Sequence, residues 1–377
     1  MKTRVVRVDP VHPAPGALRE AGEVLRGGGL VAFPTETVYG LGADALNPAA
    51  VRRIFAAKGR PGDNPLIIHV ADRESLAGLV KEVPEAARAL MDRFWPGPLT
   101  LVLPKAELVP DEVTAGLATV AVRMPNHRVA LGLIAAAGVP VAAPSANRSG
   151  RPSPTTAAHV WEDLGGRVEF ILDAGPTGVG VESTVVDLTG PRPVVLRPGG
   201  LALEDLRQVA GEVTVDPALL GREVDRPRSP GLKYTHYAPK APLTLIEPGP
   251  GVAPQVVGEA AWRAVREVLA ASPHKPVGLL FLRENLPRHR EAASATATAF
   301  LLAELNQDAG APPATVLALE AGPATDPAQV ASRLFAALRW FDAAGVAAIV
   351  AEGISPEGLG FAVMNRLRKA AGAVVRV

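Results

Sequence analysis

The stretch Asn47–Val70, NPAAVRRIFAAKGRPGDNPLIIHV, passes from a helical pattern through a turn into a strand. Val51, Ile54 and Phe55 stand at i, i+3 and i+4, the spacing of a helix with one apolar face. Asn47 suits the N-cap and Pro48 the first helical position. Gly59 reads as the left-handed residue that ends the helix, Lys58 as a last-turn cation facing the dipole, and Pro61 as the stop. A helix end thus accounts for Lys58, Gly59 and Pro61. It leaves Arg60, Asn64 and His69 unexplained. Two cations, a carboxamide and an imidazole around one turn suit a multiply charged anion. His69 closes the apolar run LIIHV, where a hydrogen-bonded core histidine is the plainer reading.

The same alternation continues on both sides. Helical patterns fall at 17–26, 74–81, 84–94 and 127–137. Strand-like runs fall at 29–33, 99–103, 118–123, 139–143, 169–173, 184–188 and 193–197. Together they predict a mixed α/β domain over residues 1–210. From 211 to 241 the pattern fails, with prolines at 227, 230 and 239 and another just beyond at 242, and this stretch reads as a linker. From 242 to 377 apolar strands (LTLIE, VGLLFL, TVLALE, AAIVAE) alternate with helices expected at 253–272, 292–307, 327–344 and 358–371. That is the signature of a smaller, Rossmann-like parallel sheet covered on both faces.

Composition limits the function. A chain of 377 residues is expected to form two domains, and 48% hydrophobic residues supply their cores. Lys plus Arg is 39 and Asp plus Glu 38, so no global basic excess points to DNA or RNA. With no cysteine, disulfides, thiolate zinc sites and cysteine nucleophiles are excluded. The N-terminus lacks an apolar signal core, and the longest apolar run, at 129–144, is broken by Gly138 and Pro140. A soluble, cytoplasmic protein with no membrane partner is expected.

Four further clusters sit beside strands. PTETVYGLG at 34–42 offers Thr35, Thr37 and Tyr39, or else a polar turn with a packed tyrosine. TVAVRMP at 119–125 places Arg123 at a strand end, where a surface salt bridge is the plainer reading. APSANRSGRPSPT at 143–155 supplies Ser145, Asn147 and Ser153 in the position where α/β proteins hold ligands, or is an ordinary polar loop. VESTVVDL and VVLRPGG, within 181–200, bring Ser183 and Arg197. Jointly these residues describe a site for a triphosphate and a small polar co-substrate. No GxxxxGK[ST] is present, so the site is not of Walker type, and GxG at 358–360 follows no strand directly. HxxxH, HExxH and a nucleophile elbow are absent too.

The segments PTETVYGLG, KGRP…NPLIIHV, APSAN, STVVD and LRPG resemble the YrdC-like domain. Together with SPGLKYTHYAP at 229–239, LFAALRWFDAAG at 334–345 and EGLGFAVMNRLRKAAG at 357–372, the chain resembles the two-domain L-threonylcarbamoyladenylate synthases over residues 15–377. The resemblance implies a YrdC-like mixed, twisted sheet with helices around a basic cleft, and a reaction of L-threonine, bicarbonate and ATP. The products would be threonylcarbamoyl-AMP, pyrophosphate and water. A separate threonylcarbamoyl transferase complex would then modify tRNA. Magnesium would arrive with ATP, and no organic cofactor is implied.

Carried over by position, Lys58 and Arg60 would be catalytic. Those two, with Asn64, Thr119, Ala143, Asn147, Ser153, Arg197, Tyr234 and Tyr237, would contact ATP. Thr37, His69, Arg123, Ser145 and Ser183 would surround L-threonine. Tyr234, His236 and Tyr237 would form a lid that excludes water and is anchored by the C-terminal domain. Two alternatives compete. A bare RNA-binding module is disfavoured by near-zero net charge and 4% aromatic residues. A hydrogenase-maturation carbamoyltransferase would need cysteine zinc fingers.

Overall fold

The computed structural model describes residues 2–220, 237–272, 274–285, 291–292, 299–303 and 315–377. They divide into two compact units, one of residues 2–149 and 153–220, the other of 150–152 and the described residues from 237 onward.

The first unit runs β1 (Arg4–Arg7), α1 (Pro15–Arg26), β2 (Val31–Phe33), β3 (Gly40–Asp44), α2 (Pro48–Lys58), β4 (Ile67–His69), α3 (Glu85–Phe94), β5 (Leu99–Pro104) and α4 (Asp111–Thr114). It continues through β6 (Thr119–Arg123), α5 (Arg128–Ala137), β7 (Val141–Ala142), α6 (Ala157–Leu164), β8 (Phe170–Asp173), β9 (Thr184–Asp187), β10 (Val194–Arg197), α7 (Leu203–Ala210) and β11 (Thr214–Val215). The strands form one mixed sheet in the order β1-β8-β2-β3-β7-β4-β6-β5-β9-β10-β11. β4 and β6 pair parallel, whereas β5 meets β6 and β10 meets β9 antiparallel. Leu41, Ile54, Ile68, Leu90, Leu101 and Val122 belong to one large apolar core. Leu25, Phe33, Leu133, Val141 and Leu172 form a second.

Local chemistry explains the elements. Asn47 Oδ1 accepts from the amides of Ala49 and Ala50, and Gly59 takes the left-handed conformation at φ 63°. Both ends of α2 are therefore as the sequence implies. Three details differ. The helix expected at 74–81 is only a 3-10 turn at Glu74–Leu76, and Gly78 follows at φ 85°. The second half of PTETVYGLG is strand β3. Its glycines disguise it, since glycine is depleted in strands. A Cβ at Gly42 would lie 2.8 Å from Val141 Cγ1 and 2.9 Å from Phe33, so only glycine permits this packing. Residues after 210 do not leave the first unit, because Thr214 and Val215 extend the sheet beside β10.

The second unit holds β12 (Leu243–Glu247), α8 (Pro254–Ala271), β13 (Val277–Leu282), β14 (Glu291–Ala292), β15 (Ala299–Ala303), β16 (Thr315–Gly322), α9 (Pro327–Ala344), β17 (Ile349–Glu352), α10 (Gly360–Ala370) and β18 (Ala373–Arg376). Its sheet order is β14-β15-β16-β13-β17-β12-β18. Strands β16, β13, β17, β12 and β18 are parallel, as expected, and β15 adds antiparallel to β16. β15 falls where a helix was expected over 292–307. A short apolar run such as AFLLA has no period that separates the two states, and the sheet edge decides. β18 was not anticipated. All four of its residues are exposed, so the sequence shows no buried face there.

At the end of β17, Glu352 is 2% exposed. Its Oε2 accepts from the Leu282 amide and from Asn285 Nδ2, both at 2.8 Å. Burial pushes its carboxyl up to about 7. A raised folded value gives stability that is present below the unfolded value and lost as pH climbs to about 7. Glu352→Gln is expected to remove that loss, worth about 3 kcal/mol at most. Denaturant unfolding of the second unit at pH 5 and pH 8 measures it, and an unchanged pH slope in the variant would contradict it.

Candidate functional site

Strand register builds the site. His69 pairs with Arg123, Arg123 with Thr100, Thr100 with Val185, and Val185 with Arg197. Residues directly opposite one another on paired strands share a face. One line across β4, β6, β5, β9 and β10 therefore carries an imidazole, a guanidinium, a hydroxyl and a second guanidinium on the same side. Arg197 joins this line because the β10 ladder shifts register between Val195 and Arg197. Such a bulge re-aims a side chain. Ser183 lies two residues before Val185, hence on the same face, and its Oγ is 2.7 Å from Thr100 Oγ1.

Arg123 is buried, 4% exposed. Its Nη2 donates to Thr37 Oγ1 at 3.0 Å and its Nε to the Gly97 carbonyl at 3.3 Å. Nη2 also lies 2.8 Å from Glu36 Oε1. The loop between β2 and β3 is set for this contact. Thr35 Oγ1 donates to the Val38 carbonyl at 2.7 Å and lies 2.8 Å from Thr37 Oγ1. Arg123 is therefore held in place by the fold and does not form the surface salt bridge considered above.

His69 sits beside it, 3% exposed, with Nδ1 3.3 Å from the Ile67 carbonyl and its ring edge-on to Phe33. Burial first, then the charge of Arg123, lowers its pKa to about 3. The imidazole is neutral and integrated into the sheet, which matches the plainer reading of LIIHV. The sign follows directly. A folded value below the unfolded one costs stability as pH falls from about 6.5 towards 3, at up to about 1.4 kcal/mol per unit. The His69 imidazole is expected to stay neutral at pH 5 by NMR, and titration above that pH would contradict the placement.

The second guanidinium is anchored differently. Arg197 Nε and Nη2 donate to the Ser183 carbonyl at 3.2 and 2.9 Å, and Nη2 donates to Ser183 Oγ at 3.1 Å. The Pro-Gly-Gly run after Arg197 packs closely on the 182–184 backbone. A Cβ at Gly199 would stand 2.3 Å from the Glu182 carbonyl oxygen and 2.3 Å from Ser183 C. Gly199→Ala must therefore push the 182–184 backbone away. It is expected to raise the Michaelis constant of any substrate that contacts Ser183 by about tenfold or more, since misplacement by an ångström is costly. A kinetically normal variant would contradict this.

Lys58 stands in the last turn of α2, as read from the sequence, but its side chain turns inward and the residue is 2% exposed. Its Nζ donates to the Ser145 carbonyl, to the Asn147 carbonyl at 2.6 Å and to Asn147 Oδ1 at 3.3 Å. The Ser149 amide returns a bond to the Lys58 carbonyl at 2.9 Å. Lys58 is thus the tether of the 145–149 loop. The other edge of that loop is zipped to β3, with the Ala146 amide on the Tyr39 carbonyl and the Leu41 amide on the Pro144 carbonyl, both at 2.8 Å. Tyr39 itself is the packed tyrosine of the plainer reading, its hydroxyl bonded to the Gly175 carbonyl at 2.7 Å. Ala143 meets this group through its amide, which donates to the Ile67 carbonyl.

Arg60 Nη2 donates to the Asn64 and Pro65 carbonyls at 3.2 Å each. Asn64 is 1% exposed, with an Oδ1 that lacks a hydrogen-bond partner among the described residues. Thr119 shares the face of Arg123 but starts the same strand, four residues or about 13 Å away. The Ser153 hydroxyl donates to Glu182 Oε1. Among the described residues no His, Cys, Asp and Glu side chains gather to hold a metal ion. No helix among them is long and apolar enough to cross a membrane.

Comparison with known proteins places this geometry. A family model described as "Telomere recombination" matches residues 23–199, and one described as "Threonylcarbamoyl-AMP synthase, C-terminal domain" matches 201–372. A protein named threonylcarbamoyl-AMP synthase from Pyrococcus abyssi is 49% identical over 357 residues, 94% of each chain. The chain belongs to the threonylcarbamoyl-AMP synthase family. A second member, from Bacillus subtilis, is 46% identical over 95% of this chain and 94% of its own. Among solved structures, P. abyssi Sua5 complexed with L-threonine matches with a TM-score of 0.83 and 47% identity, covering 100% of both chains.

Within this threonylcarbamoyl-AMP synthase frame, the fold brings Thr37, His69, Arg123, Ser183 and Arg197 to one face, and ties Ser145 and Asn147 to Lys58. Tyr237 belongs to the second unit, 6% exposed, its ring stacked on Phe335 at 5.3 Å and covered by the Arg366 guanidinium at 5.3 Å. Packing on an aromatic ring and a cation holds it there. Tyr234 and His236 lie outside the described residues. Two site residues escaped the sequence reading, Glu36 and Thr100. Glu36 stands between the two threonines of PTETVYGLG, where the hydroxyls drew the attention. Thr100 is the lone polar residue of the buried run LTLVL.

Proposed function

We propose that this chain joins L-threonine, bicarbonate and ATP into threonylcarbamoyl-AMP and releases pyrophosphate. The observation that carries the reading is the single sheet face bearing two separately anchored guanidinium groups, Arg123 and Arg197, with Ser183 between them. Arg123 offers its Nη1 to the carboxylate of threonine as a charge-assisted donor. Thr37, Ser145 and Ser183 supply hydroxyls around it, and neutral His69 supplies a wall without a competing charge. Arg197, Arg60 and Asn64 face the nucleotide, joined by Thr119, the Ala143 backbone, Asn147 and Ser153. Lys58 shapes that side by holding the 145–149 loop. The relative crystallised with L-threonine supports the amino-acid half.

The chemistry needs no protein nucleophile. The amine of threonine bonds to the carbon of bicarbonate as water leaves, giving a carbamate. A carbamate oxygen then bonds to the α-phosphorus of ATP while its bond to the bridging oxygen of pyrophosphate breaks. Attacking and leaving groups are both anionic, so positioning and charge neutralisation dominate. Magnesium enters as part of the nucleotide substrate, held by its phosphates. The adenylate would pass to the enzyme that modifies tRNA, in the cytoplasm. Pyrophosphate release that requires L-threonine, bicarbonate and ATP together tests the reading. Release independent of either co-substrate would overturn it.

A further inference from the structure

We infer that Glu36 receives the α-ammonium group of L-threonine, an inference that rests on Arg123 holding the carboxylate. Both carboxylate oxygens of Glu36 are closed to solvent, and neither has a hydrogen-bond partner among the described residues. Arg123 Nη2 stands 2.8 Å from Oε1, an ion pair without hydrogen-bond alignment. His127 is near enough for Glu36 to act on its titration, yet its Nδ1 is taken by the Val129 amide at 3.2 Å. A buried carboxylate offers about four acceptor positions. Leaving them empty is costly, and orphaned acceptors of this kind call for a donor that the protein alone does not provide.

The geometry says which donor fits. Arg123 spends Nε on Gly97 and Nη2 on Thr37 and Glu36, and Nη1 is engaged by none of the described residues. A carboxylate bound at Nη1 therefore lies within one residue's breadth of the Glu36 carboxylate. In an α-amino acid the ammonium is attached one carbon from the carboxylate, and it brings three donors to an acceptor that has none. Arg123 and Glu36 together form a plus–minus pair that matches a zwitterion. Glu36 thereby selects for a free α-amine, the atom that must become the carbamate nitrogen. Backbone bonding fixes its position, since the Val179 amide donates to the Glu36 carbonyl at 2.8 Å.

The test is calorimetric binding of two ligands, L-threonine and (R)-3-hydroxybutyrate, which keeps the carboxylate and hydroxyl but has no ammonium. Glu36→Gln is expected to weaken L-threonine by about 10- to 100-fold, the worth of one charged hydrogen bond, and to leave (R)-3-hydroxybutyrate within about threefold. Glu36→Asp, which keeps the charge, is expected to retain most of the discrimination. It serves as the second variant if Glu36→Gln folds poorly. Equal weakening of both ligands would overturn the inference, because Glu36 would then only orient Arg123. Unchanged threonine affinity in Glu36→Gln would overturn it as well. Arg123→Lys separates the two ideas. It is expected to weaken both ligands, and no effect on either would reject the placement of the carboxylate at Arg123.

Discussion

Lys58→Met is expected to lower the stability of the first unit by about 3 kcal/mol or more and to stop adenylate synthesis with it. The side chain is nearly isosteric, so the change removes the ammonium without opening a cavity. The Ser145 and Asn147 carbonyls that the ammonium now satisfies would stay buried without a donor. Each lost bond to a charged donor is worth about 1.5–3 kcal/mol. In a unit of this size the melting temperature would drop by about 10 °C. A catalytic lysine that merely touched phosphate would behave otherwise, with activity lost and the melting temperature held. The melting curve of Lys58→Met therefore decides between tether and phosphate ligand, and an unchanged curve would refute the tether.

Arg123→Ala carries the second large effect. It removes the proposed carboxylate partner and strands the Glu36 carboxylate away from solvent. Breaking a buried ion pair from one side costs about 3–5 kcal/mol. Loss of that guanidinium alone is expected to weaken L-threonine by more than 100-fold. The double variant Arg123→Ala, Glu36→Ala should regain part of the stability, because no charge is left unpaired, yet none of the threonine affinity. Recovery of binding in the double variant would show that Arg123 serves Glu36 and not the substrate.

Much of this site is visible in the sequence because α/β loops expose their chemistry in short runs. Arg123, Ser183 and Arg197 stand at strand ends, where a charge next to Val and Leu is conspicuous. What the sequence hides is depth. Lys58 reads as a helix-end cation because its neighbours Asn47 and Gly59 make that helix so legible. Only the fold shows that its ammonium turns inward to the 145–149 loop. Glu36 is masked by two flanking threonines, and its importance comes from Arg123, 87 positions away, which no local pattern announces.

The fold divides in the same way. Strands β4, β5, β6 and β13 are clear because their apolar runs are bounded by turns. β3 is obscured by glycines that exist for packing, as the close approach of Val141 to Gly42 shows. β15 and β18 depend on a sheet edge built elsewhere in the chain, so nothing in AFLLA or AVVR specifies them alone. Tyr237 is the instructive case among site residues. Nothing in SPGLKYTHYAP announces that its ring packs on Phe335 and under Arg366, which lie far along the chain.

On the proposed function, one face of the first unit's sheet joins an amino acid, a carbon unit and a nucleotide. Mass spectrometry of a reaction with ATP, L-threonine and ¹³C-bicarbonate tests it most directly. The expected product is an adenylate that depends on threonine and carries one ¹³C. An adenylate without the label, as simple aminoacylation of AMP would give, or no threonine-dependent adenylate at all, would contradict it.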